Sequence, residues 1–144
     1  MPTTSPQIWP VSTGTLTTAL TTSFVAPIAI NILNNPIQPV PGTTPPTSGK
    51  FFFKLSAIYI HVHAIAAGAT KLTIRVSPDV TADEMIVPDT QATIATGYTN
   101  ATRGGVVFKV DALVYLDNPT FYVTVKTDAG TCNLKYVNLI MEKN

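Results

Sequence analysis

The sequence predicts an all-β protein, an antiparallel β-sandwich or jelly-roll-like barrel preceded by an extended N-terminal arm. Two observations lead to this prediction. Apolar and polar residues alternate along several segments, and turn-forming residues recur between those segments at short intervals. The intervals leave no room for the crossover helix that a parallel sheet requires. We therefore expect short antiparallel strands that build two packed sheets.

The first 49 residues differ in composition from the rest of the chain. They contain no Asp, Glu, Lys, Arg or His, and they hold nine of the twelve prolines. This contrast predicts an uncharged Pro/Thr-rich arm with one or two strands at residues 1–49, and a sandwich domain at residues 50–144. Strands are expected at 13–22 and 24–32, with an edge or bulge at Pro27 because proline cannot donate to a ladder. Residues 34–49 are expected to form an extended, polyproline-like connector.

In the second domain, the strongest alternation lies at residues 51–65, 70–77 and 121–126. The predicted apolar faces are Ile58, Ile60, Val62 and Ala64 in the first, Leu72, Ile74 and Val76 in the second, and Phe121, Val123 and Val125 in the third. Further strands are expected at 85–87, 91–96, 106–115 and 132–141. Turns are expected at 67–69, 77–79, 87–89, 103–105, 117–119 and 128–130, where Gly, Pro, Asn and Asp concentrate.

The charge balance and the apolar segments exclude several classes of partner. The chain has 9 Lys plus Arg against 8 Asp plus Glu, for a net charge of +1. Binding nucleic acid through its phosphates needs clustered basic side chains, so we expect no nucleic-acid partner. Residues 24–40, the most apolar early window, are interrupted by Pro and Asn, so no membrane-spanning helix is expected.

His61 and His63 are the best candidate for a metal-ligand pair, because residues two apart on a strand point to the same side. A metal site needs a third ligand. Cupins, which carry such a pair on a strand, supply a Glu shortly afterwards, and residues 64–68 here are Ala, Ile, Ala, Ala and Gly. We therefore expect a polar strand face and no bound metal or cofactor.

No other constellation indicates catalysis, and the chain is expected not to be an enzyme. The acidic residues Asp79, Asp83, Glu84 and Asp89 lack the spacing of a calcium loop, and no serine lies in a Gly-x-Ser-x-Gly elbow. The single cysteine, Cys132, cannot form an internal disulfide and has no neighbouring cation to activate it. It is expected to be a small buried apolar residue.

The apolar side chains of residues 1–49 predict contacts with protein. Exposed apolar area on a chain with little net charge promotes association, and tryptophan is enriched at interface hot spots. The predicted contact residues are Ile8, Trp9, Leu16, Leu20, Phe24, Ile37 and Val40. A closed homotrimer with exchanged arms would bury them without open-ended polymerisation.

A small Thr-, Ala- and Val-rich β protein with a Pro/Thr-rich uncharged arm resembles the jelly-roll cement or decoration proteins of tailed bacteriophage capsids. The resemblance implies a non-enzymatic, homotrimeric virion protein. It would clamp the major capsid protein at the outer capsid surface after assembly in the host cytoplasm.

Two alternatives stay open from the sequence. One is a receptor- or carbohydrate-binding β module such as a fibre or tail knob, for which tyrosines would form an aromatic platform: Tyr59, Tyr98, Tyr115, Tyr122 and Tyr136. The other is a metal-dependent β-barrel enzyme that uses His61 and His63.

Overall fold

Two antiparallel sheets packed against each other form the structure, a computed structural model that describes residues 7–31, 51–66, 68–81, 85–96, 102–116 and 120–143. The strands are β1 (Gln7–Ser12), β2 (Thr18–Leu20), β3 (Ile28–Asn31), β4 (Phe51–Ala66), β5 (Lys71–Ser77), β6 (Val87–Thr93), β7 (Ala95–Thr96), β8 (Gly104–Leu116), β9 (Thr120–Thr127) and β10 (Thr131–Lys143). The predicted all-β sandwich is confirmed. Within the described residues, no helix is long and apolar enough to cross a membrane.

The strand order is that of a jelly roll. The six-stranded sheet runs β1-β10-β4-β8-β7, with β2 beside β1 along the same edge of β10, and the four-stranded sheet runs β3-β9-β5-β6. From β2 onward, every connection crosses between the sheets except β5 to β6 and β7 to β8. With β1 and β2 counted as one edge strand and β7 as a short extension, two four-stranded halves remain, as in a double Greek key.

The core lies between the two sheets and includes most of the residues of the three predicted apolar faces. Ile58, Ile60 and Val62 are buried as expected, and so are the predicted apolar residues of β5 and β9. Ala64 is the exception, because it is exposed. Its φ of 51° lies at a bulge in the pairing of β4 with β10, and an extra residue in one strand shifts the following side chains.

Two of the predicted turns are wrong, because the residues belong to strands. Gly104 begins β8, where a Cβ atom would lie 2.6 Å from the carbonyl oxygen of Ala95; glycine therefore permits the close approach of β7. Residues 87–89 begin β6, and Pro88 is tolerated there because β6 is an edge strand. The turn at 128–130 is confirmed, with Gly130 at a φ of 64°.

The charge-free segment contributes three strands between residues 7 and 31, against one or two expected. β1 and β2 pair with β10 in the six-stranded sheet, whereas β3 pairs with β9 in the four-stranded sheet. β3 begins directly after Pro27 and is an edge strand of its sheet, as the sequence predicted for a strand at this proline. This part of the segment is thus built into both sheets, while the predicted connector at 34–49 lies outside the described residues.

Candidate interaction face

Most of the exposed large apolar side chains lie on the outer surface of the six-stranded sheet. Ile58, Ile60, Phe108 and Val114 point into the core, and the exposed residues that alternate with them on β4 and β8 point outward. The exposed apolar residues on these two strands are Tyr59 (38% exposed), Val107 (50%), Leu113 (69%) and Tyr115 (55%). We call these four residues the open face.

The open face has two apolar ends with charges between them. Tyr59 pairs across the strands with Val107 at one end, and Leu113 and Tyr115 lie at the other. Val107 and Leu113 are six positions apart, or about 20 Å at ~3.3 Å per residue. The outward positions between them on β8 are Lys109 and Asp111, both exposed.

A small aromatic group adjoins Tyr59. The rings of His61 and Tyr136 meet edge to face with centroids 6.1 Å apart, and the Lys135 ammonium lies 5.8 Å from the Tyr136 ring centroid. The Thr15 hydroxyl donates a hydrogen bond of 3.4 Å to the Tyr136 hydroxyl. Residues of β10, β4 and the turn after β1 therefore meet at this end of the open face.

The histidine pair supplies only two groups toward a metal site. Among the described residues, no three His, Cys, Asp or Glu side chains are placed to hold a metal ion. His61 contacts Tyr136, while Nε2 of His63 is buried without a hydrogen-bond partner among the described residues. A protein zinc site takes at least three protein ligands, so these residues alone do not form one.

The residues predicted as protein contacts have separate locations. Leu20 is fully buried in the core of its own chain, so its side chain has no surface to offer a partner. Leu16 is half-buried against that core, and its N–H donates to the Lys135 carbonyl at 2.6 Å. Phe24 is half-buried on the outside of the four-stranded sheet.

The other four predicted contact residues are described only in part. The backbones of Ile8 and Trp9 lie in β1, opposite Glu142 and Met141 of β10. Ile37 and Val40 lie outside the described residues. The role of these four side chains in binding stays a prediction.

Part of the outer surface of the four-stranded sheet is covered by the chain's own Phe24. Two cations contact its ring, whose centroid lies 4.5 Å from Cζ of Arg75 and 4.8 Å from Nζ of Lys126. Arg75 donates two hydrogen bonds of 2.8 Å to the Asp89 carboxylate, and these bonds hold the pKa of Asp89 below its ordinary value. We call Phe24, Arg75, Lys126 and Asp89 the covered face.

The segment that carries Phe24 also closes over β9. The Thr124 hydroxyl donates to the Val25 carbonyl, and the Val25 N–H donates to the Val125 carbonyl at 3.2 Å. Thr124 is buried for this reason, although strand alternation alone places it on the outer side.

The remaining candidates have structural roles within the described residues. Asp89 is paired with Arg75, and the Asp79 carboxylate accepts a hydrogen bond from the Thr81 hydroxyl at 2.8 Å. Asp83 and Glu84 lie outside the described residues. Cys132 is buried as predicted, and burial raises the pKa of its thiol to about 11, so the thiol stays protonated at neutral pH.

The sequence prediction named Tyr59 and Tyr115 only as members of an aromatic platform, and it missed Val107 and Leu113 on β8. The inward positions of β8 are all apolar: Val106, Phe108, Val110, Ala112 and Val114. The outward positions combine Lys109 and Asp111 with Val107, Leu113 and Tyr115, a mixture that a fully solvated face does not need. This mixture of charged and apolar outward residues was the sequence signal that could have identified the open face.

Comparisons of the sequence with protein-family models and with curated proteins found no match. The jelly-roll architecture hosts many unrelated functions, so the fold by itself does not select one. The open face is the surface feature from which a function can be inferred.

Proposed function

We propose that the chain is a non-enzymatic structural protein that binds other proteins through the open face. The exposure of Tyr59, Val107, Leu113 and Tyr115 on one side of one sheet carries this proposal. Exposed apolar patches on soluble proteins mark interaction sites, and tyrosine is enriched among interface hot spots.

Within this class, we propose a capsid cement or decoration protein that stabilises a viral shell from its outer surface by contacts with the major capsid protein. The compositional resemblance to phage decoration proteins supports this, and jelly-roll domains are common in viral capsids. The support from the fold is an analogy. The net charge of +1 agrees with a protein partner rather than a packaged genome.

Rebinding to shells that lack the protein tests the proposal. Val107→Asn with Leu113→Asn removes apolar side chains from both ends of the open face, and we expect binding to weaken at least tenfold, since about 1.4 kcal/mol is a tenfold change. The matched control is Val80→Asn with Met85→Asn, which changes residues of similar exposure, 60% and 57%, in the loop between β5 and β6. The control variant should bind as the unmodified chain does.

The proposal fails if the folded open-face variant binds shells as tightly as the control. Circular dichroism and a thermal melt establish folding for each variant. Deletion of residues 1–49 is a poor test, because it removes β1, β2 and β3 together with the core residue Leu20.

Carbohydrate binding is the second candidate, and the grouping of Tyr59, His61 and Tyr136 on neighbouring strands favours it. Tyr115 lies eight residues beyond the partner of Tyr59 on β8, about 26 Å away at ~3.3 Å per residue, and cannot join the same platform. Tyr122 belongs to the other sheet, and Tyr98 lies outside the described residues.

A glycan-array screen tests this candidate. Binding that Tyr136→Ala abolishes and Tyr122→Ala preserves would support a sugar site at Tyr59 and Tyr136. An array without hits rejects it and leaves the protein-binding proposal in place.

A further inference from the structure

We propose that two copies of this chain associate edge to edge along β8, about a two-fold axis at Val110. β7 pairs with β8 only at Gly104 and Gly105, and no other described strand pairs with the outer edge of β8. An unpaired strand edge is a template for a strand of another chain. This association does not depend on the proposed function.

The sequence of β8 is complementary to itself about Val110. In an antiparallel pair centred there, Lys109 of each copy lies opposite Asp111 of the other. Val107 likewise lies opposite Leu113. The two-fold axis makes each pair occur twice, and opposite charges or apolar side chains across strands stabilise a sheet.

Neighbouring registers are disfavoured by charge. Centring the pair on Lys109 places that lysine opposite its own copy, and centring it on Asp111 does the same for the aspartate. Like charges directly opposite each other destabilise a strand pair. A shift of the pairing by one residue would set outward residues against inward ones.

The charges are available for these contacts. Lys109 is exposed, and no acidic side chain of the described residues forms an ion pair with it. Asp111 has a side chain that is 75% exposed, and its Oδ1 lies 3.2 Å from Nζ of Lys54. The carboxylate has a second oxygen that Lys109 of the other copy can approach.

A β-bulge lies on the proposed axis. Asp111 has a φ of 50°, and the register of β8 with β4 shifts between Lys109 and Ala112. The new ladder therefore consists of two short segments, residues 106–109 of each copy with residues 111–114 of the other. Because the contact uses the same edge of both copies, it closes and does not propagate.

The association also explains the layout of the open face. In a single copy the apolar ends at Val107 and Leu113 are about 20 Å apart along the strand. Pairing about Val110 brings Val107 of one copy beside Leu113 of the other. Two divided apolar patches become two continuous ones across the dimer.

Sedimentation velocity on the full chain, with a charge exchange at the two positions, tests this arrangement. We expect the unmodified chain to form even-numbered species: a dimer, or a hexamer if the two-fold contact combines with the predicted trimer. Lys109→Glu alone and Asp111→Lys alone should each weaken association at least tenfold. Mixing these two variants should restore it, because each mixed pair again has opposite charges across both contacts.

The chain that carries both substitutions is the internal control, since it contains every changed residue and keeps the complementarity. Restored association in this chain and in the mixture supports the proposal. A monomeric unmodified chain at millimolar concentration overturns it, and so does a folded Lys109→Glu variant that associates normally. In either case, the charges and the bulge on β8 would instead prevent this strand edge from pairing with another chain.

Asp111→Lys removes the contact with Lys54 and needs a folding check by circular dichroism. If that variant does not fold, Lys109→Gln and Lys109→Glu are used in place of the charge exchange. Lys109→Gln should then associate more weakly than the unmodified chain, and Lys109→Glu more weakly still. If both variants associate as strongly as the unmodified chain, the proposal is overturned. Shell rebinding by Lys109→Glu separates the two proposals, because a monomer that still binds shells leaves the proposed function intact.

Discussion

The outer surfaces of the two sheets differ in what covers them. On the four-stranded sheet, the segment between β2 and β3 lies over β9 and β5, and the Phe24 ring contacts both Arg75 and Lys126. On the six-stranded sheet, Val107 and Leu113 are half exposed or more, and none of the described residues forms a layer over them.

This difference follows from where the charge-free segment runs. It leaves the six-stranded sheet after β2 and joins the four-stranded sheet at β3. Phe24, the one aromatic residue among positions 10–31, therefore covers the outer surface of the four-stranded sheet and not that of the six-stranded sheet. Among the described residues, the chain thus covers part of one sheet itself and leaves apolar side chains exposed on the other.

The largest expected effect comes from Leu20→Ala, which tests whether the crossing segment is anchored in the core. Leu20 is fully buried, and truncation of a buried leucine costs about 2–5 kcal/mol through lost transfer energy and the cavity that remains. Urea unfolding measures this loss in the free energy of unfolding. Thr17→Ala, at an exposed position nearby, should cost far less. Equal losses in the free energy of unfolding for the two variants would show that Leu20 does not anchor the crossing segment in the core.

Asp128→Asn should have the next largest effect, in the sheet with the covered face. The Asp128 carboxylate accepts hydrogen bonds from the Thr70 hydroxyl at 2.7 Å and from the backbone N–H groups of Thr70 and Lys71 at 3.0 and 2.9 Å. These bonds hold its pKa well below the ordinary value. Charged hydrogen bonds contribute about 1.5–3 kcal/mol, and exposure to solvent reduces the expected loss at pH 7 to about 1 kcal/mol.

The same variant predicts a change in pH dependence. Because the pKa of Asp128 is lowered in the folded state, its contribution is complete above the unfolded pKa of about 3.9 and declines as the pH falls toward the folded value. Thermal melts between pH 7 and pH 2 should show a shallower acid loss for Asp128→Asn than for the unmodified chain. Parallel curves would contradict this role of the carboxylate.

Phe24→Leu tests the covered face itself. Leucine keeps an apolar side chain but removes the ring that attracts Arg75 and Lys126, and cation–π contacts at exposed sites contribute about 0.5–1 kcal/mol. The loss should appear as a lower urea midpoint with an unchanged slope. Phe24→Tyr keeps the ring and should retain most of the stability. A leucine variant as stable as the tyrosine variant would mean that packing alone covers this sheet.

The smallest expected effect is a gain from Ala64→Gly in the six-stranded sheet. Ala64 has a φ of 51°, where an alanine costs about 1–2 kcal/mol and a glycine does not, whereas glycine loses about 0.5–1 kcal/mol of conformational entropy. The net result should be about 0.5 kcal/mol of added stability. Ala66→Gly, two residues on in the same strand, lacks the positive φ and should lower stability instead. Equal losses in both variants would remove the argument for backbone strain at the bulge.

The sequence predicted a strand correctly where the pattern within that strand was sufficient to identify it. β5 and β9 alternate cleanly because one of their faces meets the core along their whole length, so Leu72, Val123 and Val125 were assigned correctly. β1 was missed, because it has no charged residue to mark an outward face and it contains Pro10. Pro88 indicated a turn, since nothing in the sequence shows that β6 is an edge strand.

The candidate site was less predictable than the fold. The apolar residues of the charge-free segment were expected to contact a partner, and Leu20 instead completes the core of its own chain. An apolar residue looks the same in a sequence whether another chain or its own core covers it. Leu113 and Tyr115 are exposed because they point away from the core and no described segment covers that side of the sheet, which the sequence of β8 alone does not show.

The sequence by itself determined that the chain forms a β-sandwich and which residues of β5, β9 and the middle of β4 point inward, because alternation along a strand is a local property with a period of two. The tertiary structure decided the jelly-roll order, the passage of residues 7–31 from one sheet to the other, and the open face along β8. These features depend on hydrogen bonds between strands far apart in sequence, such as β1 with β10 and β3 with β9. The same alternating strand can pair with several others, and only packing the whole chain around one core selects among them.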